Sequence, residues 1–219
     1  MCDSVYSYPL VLTKGLRVSI VTIGTLLFAI SCGGSDVFRN TSLPPHASPA
    51  SQQPTAVADR LAYPIGKQER ITEAKDAGDD WYNALNFGEN DHLGEDWNKN
   101  SGANTDCGEP VYSTATGVIT YADDAGPGWG NVVIVTHLLA DGKKVQSLYG
   151  HLQEIVKSSG EVKKRELIGK VGNANGRYLC HLHFEIRMSD SPMWDKIGGG
   201  YSSVRDGWLD PSDFIDSRR

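Results

Sequence analysis

Positive charge is scarce in this chain. Lys and Arg number 21 against 27 Asp and Glu, a formal net charge of −6. No basic stripe or aromatic–basic alternation offsets that balance, so a nucleic-acid partner, whose phosphates demand a cationic face, is excluded. Long apolar runs are missing as well. The candidate, Val18–Ile30, has about 13 residues rising about 1.5 Å each, well short of a hydrocarbon core roughly 30 Å thick. A spanning helix there is ruled out. No internal repeat and no heptad pattern occurs, which removes solenoids and coiled coils. Cysteine and histidine are sparse too, at four and six, so their positions are informative.

Lys14 and Arg17 precede the apolar stretch, and Ala29-Ile30-Ser31 sets small residues before Cys32. A basic start, a short apolar core and small residues at the cut describe a secretory signal over residues 1–31. The Ala-Ile-Ser-Cys run resembles the lipobox of bacterial lipoproteins, with Ala29 where Leu is commoner. That resemblance implies acylation of Cys32 and a membrane anchor without a spanning helix; an ordinary signal peptide cut nearby is the alternative. Gly33, rather than Asp, after the cysteine favours the periplasmic face of an outer membrane. Loss of residues 1–31 removes Lys14, Arg17 and Asp3 and leaves the chain one charge more negative. Residues 32–60 are rich in Ser, Pro, Ala and Gln, have little to bury, and read as a flexible tether reaching on the order of 90 Å when extended. His46 lies in this stretch without an assigned role.

From Leu61 to Arg219 the composition is globular and sufficient for a single core. Short apolar runs predict strands at Pro110–Ser113, Gly117–Tyr121, Asn131–His137, Lys144–Tyr149, Val162–Ile168, Lys170–Val171 and Leu182–Arg187, with a hairpin turn at Ala140-Asp-Gly142. The domain is therefore expected to be all-β and mostly antiparallel. Glu69–Ala77 is left as a short helix or a loop. Of the four cysteines, Cys2 leaves with the signal and Cys32 carries lipid, so Cys107 and Cys180 remain. An even pair in an exported domain suggests a disulfide, and alternation sets Cys180 opposite its histidine neighbours. Sequence does not fix the Cα separation a bridge needs, so it stays open.

Four of the six histidines fall in three short motifs: His92-Leu-Gly-Glu-Asp96, Tyr149-Gly-His151-Leu and His181-Leu-His183-Phe-Glu185. Imidazole and carboxylate are zinc ligands, and a catalytic zinc takes three of them with one position open. On a strand His181 and His183 share a face. His92 and Asp96 would stand about 13 Å apart on a straight strand, so the backbone has to curl between them. Gly94, where an unusual backbone angle costs least, is the expected bend.

These motifs, with Gly108-Glu-Pro-Val-Tyr112, Thr116-Gly-Val-Ile119, Gly128-Trp-Gly-Asn131 and Leu167-Ile-Gly-Lys-Val-Gly172, resemble the LytM/lysostaphin-type zinc endopeptidases of bacterial cell walls. The likeness covers roughly residues 61–215. It implies two stacked sheets with the metal in a long groove, hydrolysis of peptide bonds in peptidoglycan, and a zinc ion held by His92, Asp96 and His183. His151 and His181 would flank the open position as catalytic groups, one moving a proton and the other steadying the oxyanion. The choice of His183 over His181 as ligand comes from the family alone. Trp208–Phe214 resembles the family's closing segment, which packs an aromatic back onto the domain. A non-catalytic relative that binds wall or activates another hydrolase typically lacks one or more ligand positions, and here all are present.

Structural readings stand beside these. Glu95 is a possible ligand in place of Asp96, but is offset by one residue and faces away. His137 reads as structural. Tyr149 and Asn131 divide evenly between a site role and packing.

Overall fold

Pairing dominates the architecture. The computed structural model describes residues 53–66 and 81–219. The signal segment, most of the tether with His46, and Glu69–Ala77 lie outside the described residues. Among the described residues, twelve strands and one α-helix follow in chain order. They are β1 (Val57–Ala58), β2 (Trp81–Leu85), β3 (Glu95–Lys99), β4 (Pro110–Tyr112), β5 (Gly117–Asp124), β6 (Asn131–Leu139) and β7 (Lys144–Leu152), then β8 (Glu154–Ile155), β9 (Gly160–Val162), β10 (Leu167–Lys170), β11 (Leu182–Met188), β12 (Trp208–Leu209) and α1 (Pro211–Asp216). The large sheet runs β2-β3-β11-β7-β6-β5-β9, with β12 beside β11 and β1 beside β6; the small one runs β4-β10-β8. Every pairing is antiparallel except β1 with β6. Among the described residues no helix is long and apolar enough to cross a membrane.

Alternation explains the layering. On β6, Val133 and Val135 enter the main core, whereas Val132 and Ile134 join Leu148 in a smaller cluster on the opposite face, capped by Tyr121 and Trp129. A strand covered on both faces reads as a near-continuous apolar run, which is what Val132–Val135 is. Val111 and Ile168 of the small sheet meet Leu152, Tyr149 and Phe184 of the large one in that main core. Each such side chain contributes about 1.5–3 kcal/mol when fully removed from water.

The β6–β7 hairpin closes on Ala140-Asp-Gly142 as expected, Gly142 taking φ 81°. One expected strand is not continuous. Val162–Ile168 splits into β9 and β10, which belong to different sheets. Lys163 N–H donates to the Glu166 carboxylate, Glu166 N–H donates to Lys163 O, and Arg165 adopts φ 64°. This charged turn carries the chain from one layer to the other. The closing segment does pack back, as Phe214 and Ile215 are buried in the core. It does so on a helix that the strand-dominated reading missed, although Asp210 caps Asp213 N–H and Pro211 opens the first turn.

Candidate metal centre and catalytic groove

Cross-strand register assembles the centre. On β11, His183 stands opposite Asp96 of β3 on one side and Gly150 of β7 on the other. Gly150 leaves room that a side chain would take: a Cβ there would lie 3.1 Å from the Trp129 ring. His92 arrives from a tight turn at Glu89–Asp91, with Gly88, Asn90 and Asp91 all at left-handed φ.

The chain bends at Leu93 and Gly94, between His92 and Asp96, as expected. Gly94 is not in the left-handed region. It is required for space instead, because a Cβ would lie 2.4 Å from the Phe184 carbonyl oxygen of β11. After the tight turn upstream, this bend lets the chain press against the strand that carries His183.

Three donor atoms converge. His92 Nε2 lies 3.0 Å from His183 Nδ1 and 3.3 Å from Asp96 Oδ1, and His183 Nδ1 lies 3.1 Å from that same oxygen. Tetrahedral zinc with bonds of 2.0–2.1 Å sets its donors roughly 3.3 Å apart. His181 stands further off, its Nε2 3.8 Å from Asp96 Oδ1. Of the late pair, His183 closes the triangle.

The protonation pattern explains why this triangle wants a cation. His183 Nε2 donates to Glu185 Oε1 at 2.9 Å, both groups being buried. An ionised carboxylate only accepts, so neutral His183 carries its proton on Nε2 and aims a lone pair from Nδ1 at Asp96 and His92. Burial pushes the Asp96 carboxyl up, but His183 and His92 hold it well below the usual carboxylate range. Burial opposes charge on His183 as well. The Asp96 and Glu185 carboxylates outweigh it and carry the imidazole up to about 9. The lone pair of neutral His183 and the Asp96 carboxylate, 3.1 Å apart, need a proton or a metal ion between them. The donor set fits zinc on distance, donor type and the orientation of His183.

Two further imidazoles face the same groove, a cavity of about 520 Å³ walled by Trp129, Tyr178, Tyr201 and Gly198–Gly200. His151 sits at φ 63°, a left-handed conformation that is unusual outside glycine. Its Nδ1–H donates to Trp129 O at 3.1 Å, leaving Nε2 for the groove. Burial first, then the neighbouring His183 and His181, push His151 down to about 3, so it is neutral at pH 7. His181 donates from Nδ1 to Leu179 O at 2.8 Å, and its ring stands 4.7 Å from that of His151.

The other expectations resolve individually. Glu95 faces away from the centre, where Trp97 Nε1 and Ser212 donate to its carboxyl and burial raises it to about 8. His137 is buried between Thr116 O and Ser147 Oγ. Tyr149 packs: it is fully buried and its hydroxyl bridges Thr114 N–H and Ser147. Asn131 donates to Gln153 O and does not line the groove. Cys107 and Cys180 form a disulfide, with Cα atoms 5.3 Å apart, leaving Cys180 no part in the centre.

Sequence reasoning assigned nothing to Glu185, Trp129, Tyr178 or Tyr201. For Glu185 a signal existed, since residues 181, 183 and 185 share one face of a strand. Tyr178 and Tyr201 come from loops whose return to the groove no local pattern announces.

This chain belongs to peptidase family M23, the family whose model matches residues 91–194. Among curated proteins it is 36% identical over 81 residues to "Lipoprotein NlpD" of Yersinia enterocolitica, 36% of this chain and 78% of that protein. It is 40% identical over 86 residues to "DD-carboxypeptidase/endopeptidase Mpg" of Neisseria gonorrhoeae, a match spanning 39% of this chain but only 19% of that protein. Among solved structures it is similar to the catalytic domain of the antimicrobial peptidase lysostaphin from Staphylococcus simulans, at 23% identity and a TM-score of 0.42. That match covers 72% of this chain and 92% of that one.

Proposed function

We propose that the chain is a zinc metalloendopeptidase that hydrolyses peptide bonds in peptidoglycan cross-links. The observation that carries this reading is the triangle of His92 Nε2, Asp96 Oδ1 and His183 Nδ1, set beside a groove into which two unspent imidazoles point. Those three atoms would hold zinc, with Glu185 fixing the His183 ring from behind. When bound, zinc supplies Lewis acidity, polarising a carbonyl oxygen and acidifying water. Neutral His151 would take a proton at Nε2 and return it to the leaving amine. His181, anchored through Nδ1 to Leu179 O, would turn Nε2 towards the oxyanion and steady it once that nitrogen carries a proton. Trp129 and Tyr178 flank these groups and restrict water.

The cell envelope is the setting that the N-terminal residues suggest, with residues 1–31 as signal, lipid on Cys32 and residues 32–60 as tether to a domain over 61–219. Two relatives carry names of the same kind, "Lipoprotein NlpD" and "Outer membrane antigenic lipoprotein B", which supports an outer-membrane lipoprotein. Metal analysis of the purified chain, combined with mass spectrometry of digested sacculi with and without chelator, tests the whole. Zinc at one equivalent with chelator-sensitive release of peptide fragments is expected. Zinc bound without any cleavage would instead make the chain a wall-binding regulator, and absence of zinc would defeat both.

A further inference from the structure

The two late histidines are held in different ways. His183 lies inside β11, with Asp96 of β3 opposite on one side and Gly150 of β7 on the other. His181 stands just before the first residue of that strand, and its backbone pairs through an isolated bridge to Gly172. The ladder to β3 starts only at Leu182, opposite Trp97. Residues 175–179, immediately upstream, are all exposed. An imidazole in that position needs support from outside the sheet.

The end of β3 and the loop after it supply that support. Asn98 Nδ2 donates to Cys180 O at 3.1 Å and to Asp106 Oδ2 at 3.3 Å. Asn104 Oδ1 accepts Cys180 N–H at 2.9 Å, and Cys107 closes the disulfide to Cys180. Residue 180 is thus gripped at its N–H, its carbonyl oxygen and its sulfur by one stretch of chain. The same stretch reaches the other side of the bridge. Gly108 N–H donates to Val171 O and Val171 N–H donates to Glu109 O, both at 2.8 Å. Gly172, the next residue, is pressed onto the chain that carries the other free imidazole: a Cβ there would lie 2.5 Å from His151 O. The loop therefore sets His181 against His151, whose rings stand 4.7 Å apart, while His183 is fixed by ladders of its own.

We propose that Asn98, Asn104 and the Cys107–Cys180 bridge are positioning groups that hold the His181 imidazole against His151, so that opening the bridge cuts turnover and leaves the metal triangle intact. This assignment rests on the catalytic role proposed above for His181.

Cys107→Ser/Cys180→Ala, Asn104→Ala and Asn104→Asp are made in the full chain, alone and combined with His181→Ala. Zinc affinity is read by chelator competition, and turnover of a purified muropeptide dimer is resolved into kcat and KM. Opening the bridge is expected to lower kcat on the order of 10–100-fold, with KM and zinc affinity unchanged. Asn104→Ala keeps the bridge and so serves where the cysteine variant does not fold; it should lower kcat by less. Asn104→Asp retains the acceptor and should restore the rate. In the His181→Ala background none of these changes should cost anything further, because a group that acts through His181 falls silent once the imidazole is gone. Losses that add to that of His181→Ala, unaltered turnover, or zinc affinity falling in step with kcat would overturn the clamp. Imidazole 15N spectra give a readout free of turnover. In the opened variants the His181 signals should shift or broaden while those of His183 stay in place. That result with no cleavage by wild type ends the peptidase reading and leaves the clamp standing. Normal cleavage with the His181 signals unmoved does the reverse.

Discussion

Replacing Glu185 by Gln isolates what holds the metal centre in place. Its Oε1 lies 2.9 Å from His183 Nε2, and its Oε2 accepts from Arg187 Nε at 2.7 Å and Trp208 Nε1 at 2.8 Å. Glutamine keeps the shape but turns one oxygen into a donor. The arginine and tryptophan require an acceptor, so the amide NH2 is forced towards His183. That imidazole must then show a lone pair at Nε2 and carry its proton on Nδ1, the atom facing Asp96 and His92. Loss of such an outer partner lowers metal affinity about 10–100-fold, or about 1.4–2.8 kcal/mol. Removing the counter-charge of the buried Arg187 also costs stability, about 3 kcal/mol, since the hydrogen bonds survive but the ion pair does not. Competition titration against a chromophoric chelator reads the first quantity, and denaturant unfolding in excess chelator reads the second. A folded Glu185→Gln protein that holds zinc within twofold of wild type would refute this account of His183.

His92→Ala and Asp96→Ala should each abolish stoichiometric zinc in metal analysis, whereas His151→Ala should keep zinc and lose on the order of 10²–10⁴-fold in turnover of a cross-link peptide. Gly94→Ala drives a Cβ to within 2.4 Å of backbone, so a loss of at least about 2 kcal/mol is expected by chemical denaturation; an unchanged midpoint would show that β3 and β11 can separate cheaply. Burial holds His137 down at about 4. The unfolded chain protonates this residue near 6.5 and the folded one does not, so its contribution, roughly 3 kcal/mol, is present above pH 6.5 and fades as pH falls towards 4. Unfolding free energies at pH 7 and pH 4.5 should therefore differ less in His137→Gln than in wild type.

The late histidine pair was legible because strand alternation is a local property: His181 and His183 fall on one face whatever they pack against. The role of Glu185 was less so. An acidic residue on the same face also fits a strand edge in water, and only the placement of β11 between β3 and β7 buries it. The β2–β3 pair escaped for a related reason. Its Trp-Tyr-Asn-Ala-Leu and Glu-Asp-Trp-Asn-Lys segments alternate poorly, and they hold as strands because β11 supplies the next ladder. The bend at Gly94 was read correctly, but glycine is needed there for space and not for a left-handed angle. A glycine announces either an unusual backbone angle or a close neighbour, and the neighbour here lies about ninety residues away. The break at residues 163–166 stayed hidden because both its flanks are short and apolar enough to pass for one strand.

Arg187 joins two parts of the molecule usually thought of separately. Its guanidinium neutralises Glu185 and also donates to Met193 O, Lys196 O and Ile197 O. The next residues, Gly198–Gly200, wall the groove and are fastened at their ends by Trp129 Nε1 to Gly198 O and Leu93 N–H to Gly200 O. The proposed ion site and the cleft are thus mechanically geared: whatever steadies His183 steadies the opposite bank. By reciprocity, a ligand that braces that bank should tighten the binding of an ion at the triangle.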